Sequence, residues 1–181
     1  FIPAKQYSDF FIYSSKCEEN LFIAENSYAL MKGNPIKVKH LFKFYSKSGK
    51  IFKKFEVSTN EFLSSIKLPK LKSSFIYSSF THHVFPEKKD PEMKNIILNH
   101  RGYMILKKEV DSIGSVLHGN LGGIESRSYS SAARKRNEFF RFIPVYKFEK
   151  ENKYHLVFNN PTTRKIKIII QKFNQNGNYE V

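Results

Sequence analysis

The sequence predicts an all-β fold, an antiparallel β-sandwich or a pair of small related β-lobes, with one short basic helix. Three observations predict it. Short runs rich in Phe, Tyr, Ile and Val recur along the chain, each bounded by Ser, Asn, Gly or Pro. Several alternate with period two, most plainly at 165–173, where Ile166, Ile168 and Ile170 interleave with Lys165, Lys167, Ile169 and Gln171. Only 131–139 reads as a helix, with Ser130 or Ser131 placed to cap Ala132, Ala133, Arg134, Lys135 and Arg136.

The first strands fall at 9–13, 20–24 and 36–45. The clearest element is a β-hairpin, with strands at 38–45 and 50–57 joined through Ser46, Lys47, Ser48 and Gly49. Gly49 supplies the left-handed position that a short turn with a bulge requires. Ile51, Phe55 and Val57 share their parity with Lys53, so the return strand needs a bulge or a snorkelling lysine. Further strands are expected at 62–68, 75–80, 102–106, 115–118, 142–148, 154–158 and 165–173. Residues 86–94 read as a charged loop or a single turn.

With 181 residues, one domain over 1–181 is expected. Segments 7–57 and 139–181 echo each other weakly, each running Glu-Asn, strand, Asn-Pro, Lys-rich strand and glycine turn, around a central segment 82–123. Aromatic residues at 15% set the chain apart from disordered sequences. Lys, Asn or Ser interrupts every apolar run long before the roughly 18 residues of a membrane span, so a soluble protein is expected. The chain begins at Phe1, as a trimmed or processed piece does. A single cysteine, Cys17, excludes an internal disulfide, leans toward a cytoplasmic setting and reads as a small buried thiol.

A net charge of +15 points to an anionic partner: nucleic acid, an acidic glycan or an acidic protein surface. Of the 31 basic residues only six are Arg, the residue whose planar fork suits phosphate and bases. Lys, Asn, Phe, Ile and Tyr share A/T-rich codons, so genome composition accounts for part of the lysine excess. The clustering of Arg127, Arg134, Arg136 and Arg141 is harder to assign to that source. Together with Lys135, interleaved Ser and the aromatics Tyr129, Phe139 and Phe140, they form the candidate anion-binding segment. In the plainer alternative the phenylalanines dock this segment on the sheets and the cations keep it solvated.

Four of six histidines (His82, His83, His100, His118) and five of eight glycines (Gly102, Gly114, Gly119, Gly122, Gly123) fall between 82 and 123. His83, His100 and His118 on neighbouring strands would make an open transition-metal site, because neutral imidazole is a common ligand. Adjacent strand residues face opposite ways, so only one of His82 and His83 can join such a set. No HExxH or H-x-H spacing accompanies it. The box containing His118, Gly119, Asn120, Gly122 and Gly123 resembles a ligand-cradling loop but lacks P-loop and dinucleotide-fold signatures, and a structural turn or bulge cluster is the favoured reading of it. The pairs Asp90/Glu92 and Glu109/Asp111 read as solvated loop charges, and no catalytic residue is assigned. The expected function is a non-catalytic binding or structural module with an anionic partner; the alternative is a small metal-dependent enzyme.

Overall fold

The computed structural model describes residues 5–72, 76–88, 91, 97–100, 102–125, 172–173 and 179–180, with side chains for 8–72, 76–88, 91 and 102–119. It is an all-β, sandwich-like fold of mostly antiparallel strands with one short helix among the described residues. The strands are β1 (Lys5–Ser14), β2 (Glu19–Glu25), β3 (Val38–Tyr45), β4 (Ile51–Thr59), β5 (Leu63–Lys67) and β6 (Tyr77–Pro86). They continue with β7 (Ile97–His100), β8 (Gly102–Lys107), β9 (Ser115–His118), β10 (Asn120–Glu125), β11 (Lys172–Phe173) and β12 (Tyr179–Glu180). One sheet has the order β10-β1-β6-β3-β4, with β7 joined in parallel to β1; a second runs β5-β2-β8-β9, and β11 and β12 form a separate two-stranded pair. No helix among the described residues is long and apolar enough to cross a membrane.

Aromatic residues placed on alternate positions hold the two sheets together. Phe11, Tyr13, Phe42, Phe44 and Phe80 project from the larger sheet, and Phe22, Ala24, Ile66 and Met104 from the smaller, into one buried cluster. Phe22 is at its centre, with ring centroids 4.8 Å from Phe11, 5.3 Å from Phe42 and 5.7 Å from Phe80, all near perpendicular. Edge-to-face pairs of this kind add to the burial term of roughly 1.5–3 kcal/mol per large apolar side chain. Polar groups pin the entry to β2. The Asn20 side chain accepts from the Ser14 amide and donates to the Ser14 carbonyl, each at 2.9 Å, closing the connection between β1 and β2.

The hairpin forms as its sequence predicts. Gly49 has φ +77°, and the turn closes through Ser46 N to Lys50 O at 2.8 Å. Register settles the lysine conflict: Phe44 pairs with Lys53 while Tyr45 pairs with Ile51, leaving Phe52 as the extra residue of a bulge. Phe55 and Val57 consequently pack on the inter-sheet core, while Ile51 packs with Phe10 and Tyr45 in a separate cluster. Lys53 remains exposed.

Three expectations differ from what is observed. The strand expected at 75–80 runs on to Pro86 as β6, because its second half is buried on both faces and so shows no alternation. A helix appears at α1 (Ser27–Lys32), capped by Asn26 Oδ1 accepting from Ala29 N at 3.1 Å and ended at Gly33; six residues are too few for a helical period to show. Cys17 is half-buried rather than enclosed, on a cleft of about 200 Å³ shared with Tyr13, Lys16, Lys70 and Leu71. The helix expected at 131–139 and the strands expected at 142–148 and 154–158 lie outside the described residues. Of the second member of the internal echo, 139–181, only β11 and β12 are described, and they pair antiparallel.

Candidate functional site

The histidines of the central window divide by strand parity. On β6, His82 faces the inter-sheet core and His83 the opposite side, and both are fully buried. His82 sits against Phe22 and Phe42, with centroids 4.7 and 4.9 Å away, and stacks on His40 of β3 at an interplanar angle of 13°. His40 Nδ1 and His82 Nε2 are 2.9 Å apart, one donating to the other, and His40 Nε2 bonds Thr59 Oγ1 at 2.8 Å. The His82 amide donates to Ser8 Oγ on β1 at 2.9 Å. Burial holds the His40 imidazole at a pKa of about 4, so His40 is neutral at ordinary pH. On the other face His83 Nε2 and Tyr45 OH both meet Thr81 Oγ1, at 3.2 and 3.1 Å. These imidazoles act as packed, hydrogen-bonded core groups, so the first part of the 82–123 window is interior rather than rim.

His118 lies on β9, in the smaller sheet, exposed and edge-on to Tyr103 at 5.3 Å, with Nδ1 donating to the Gly119 carbonyl at 2.8 Å. His83 and His118 thus belong to different sheets, and the side chain of His100, at the end of β7, is outside the described residues. Among the described residues no group of three or more His, Cys, Asp or Glu is arranged to hold a metal ion.

The glycine box is strand on either side of one crossing residue. Ser115–His118 pair with β8, Asn120–Glu125 pair with β1, and the chain passes between the sheets at Gly119. A Cβ at Gly119 would stand 2.6 Å from Asp9 Cβ and 2.7 Å from the Phe11 ring, so only glycine lets the crossing pack this closely. Asn120, Gly122 and Gly123 lie along β10, with their side-chain surroundings outside the described residues. Arg127, Arg134, Lys135, Arg136 and Arg141 lie wholly outside them.

One surface that the reading from sequence missed is the β3–β4 hairpin. Residues 26–55 hold eight lysines (32, 37, 39, 43, 47, 50, 53 and 54) and no Asp or Glu, a signal the sequence does contain. Pairing concentrates them: Lys43 stands directly opposite Lys54, and burial together with the Lys54 charge lowers the Lys43 pKa. Lys37 and Lys39 are answered by Glu87 and Glu56, at 3.1 and 3.3 Å. Among the described residues, Lys50, Lys53 and Lys54 have no acidic partner. Beside them the bulged Phe52 is 42% exposed, its ring backed by Phe44 at 6.5 Å. Comparison with protein families, curated proteins and solved structures finds no match to this chain.

Proposed function

We propose that this chain is a non-catalytic β-sandwich binding module that engages an anionic partner. The observation that supports it is the exposed group Lys50, Lys53 and Lys54 on the β3–β4 hairpin, without an acidic partner among the described residues, in a stretch of thirty positions that holds no Asp or Glu. A cluster of exposed cations without acidic partners raises the local positive potential and attracts an anion that neutralises it. Arg127, Arg134, Lys135, Arg136 and Arg141 belong to the same reading as a second basic contact. The alternative, a small metal-dependent enzyme centred on His83, His100 and His118, draws no support from the described geometry, since His83 is enclosed and His118 belongs to the other sheet.

Retention of the purified chain on immobilised heparin, measured against salt, tests the proposal. Binding should weaken steeply between about 50 and 200 mM salt, as counterion release requires. Retention that ignores salt, or no retention at low salt, contradicts it.

A further inference from the structure

The hairpin carries more than charge. Phe52 is the residue the β3–β4 register leaves over, and bulges of this kind re-aim side chains at functional edges of sheets. A large apolar ring is held 42% exposed on the edge strand, between Lys50 and Lys53 in the chain, with one side against the buried Phe44 and the other open. With Phe44 behind it, the ring is held as a platform rather than a swinging group. An aromatic platform flanked by cations suits a polymer that alternates flat π-faces with negative charges.

Resting on the anionic-partner reading above, we propose that the β3–β4 hairpin binds single-stranded nucleic acid along its free edge, Phe52 stacking on a base while Lys50 and Lys53 hold neighbouring phosphates and Lys54 reaches the strand from the opposite face of β4. Stacking on a ring is tolerant of base identity, so the binding has little sequence preference. A bilayer fits less well: the turn itself, Ser46-Lys47-Ser48-Gly49-Lys50, is polar throughout and offers nothing to insert. Acidic glycans satisfy the lysines but offer the ring no flat π-face, only a saturated sugar ring crowded by its anionic groups.

The test uses the full chain and three probes: a single-stranded oligonucleotide of roughly ten nucleotides, a base-free heparin fragment, and anionic phosphatidylserine vesicles. Fluorescence anisotropy or co-sedimentation gives the affinities, and circular dichroism checks that each variant is folded. Phe52→Ala should weaken oligonucleotide binding about tenfold and leave heparin binding unchanged. Phe52→Tyr should keep the affinity, whereas Phe52→Leu, which retains apolar packing on Phe44, should lose it. Lys50→Glu/Lys53→Glu/Lys54→Glu should weaken both polyanions. Equal loss on heparin and oligonucleotide in Phe52→Ala, or no loss on either, overturns base stacking while leaving the anionic reading intact. Vesicle binding that depends on Phe52, with no oligonucleotide binding, overturns the nucleic-acid assignment. Failure to bind any of the three overturns both proposals.

Discussion

His40 Nδ1 and His82 Nε2 face each other at 2.9 Å inside the aromatic core, their rings stacked at 13°, and this contact ties β3 to β6. It needs at least one neutral ring, since two protonated imidazoles would turn two N–H groups on each other. Protonation of His40 is opposed by its burial.

From this follows a stability that depends on pH. The folded pKa of His40, about 4, lies below its ordinary 6.5, so on acidification the unfolded chain takes up the proton first. Stability is therefore complete above about pH 6.5, falls through the window 6.5 to 4, and takes no further loss from this group below it. The total is on the order of 3 kcal/mol. Urea unfolding at pH 7.5, 6.0 and 5.0 should show the midpoint falling, and His40→Gln should flatten that fall. An unchanged midpoint across these pH values contradicts a neutral, buried His40.

Asn20 carries two backbone bonds of the turn between β1 and β2 on one side chain. Removing it in Asn20→Ala leaves a buried Ser14 amide and carbonyl without those partners, at a cost of about 1–3 kcal/mol. Asn20→Asp keeps the acceptor but loses the donor and buries a charge, so it should be no better. Denaturant midpoints of both variants check the ordering, and a wild-type midpoint for Asn20→Ala contradicts it.

At Gly119 a single methyl group is the test of the crossing between sheets. Gly119→Ala places a carbon 2.6 Å from Asp9 Cβ and 2.7 Å from Phe11, which the backbone of β1 must move to accept. Overpacking of this kind costs typically about 1–3 kcal/mol. Thermal unfolding should show a lowered midpoint. An unaltered midpoint means that the chain does not pass from one sheet to the other at this residue.

Alternation made the fold class, the hairpin and its glycine turn legible in the sequence, because a strand with one buried face writes its period into its residues. It failed where that premise fails. The second half of β6 is buried on both sides, so His82 and His83 interrupted an apolar run and read as functional when they are interior. Imidazole is polar in any hydropathy pattern, yet a neutral ring with a partner packs as an aromatic. The lysine surface was present as composition, but its concentration depends on which residues face each other across β3 and β4. That register is set by the bulge at Phe52; the parity conflict at Lys53 asked for a bulge or a snorkelling lysine but did not say which residue would be left over.

The salt dependence of oligonucleotide affinity decides whether the hairpin binds anions, because its slope counts the phosphates that the protein neutralises. For single strands log K falls by about 0.7 per phosphate for each unit of log salt, so Lys50→Gln/Lys53→Gln/Lys54→Gln should make the slope shallower by about 2. A wild-type slope near zero, or one that the triple substitution leaves unchanged, would contradict an anion-binding hairpin.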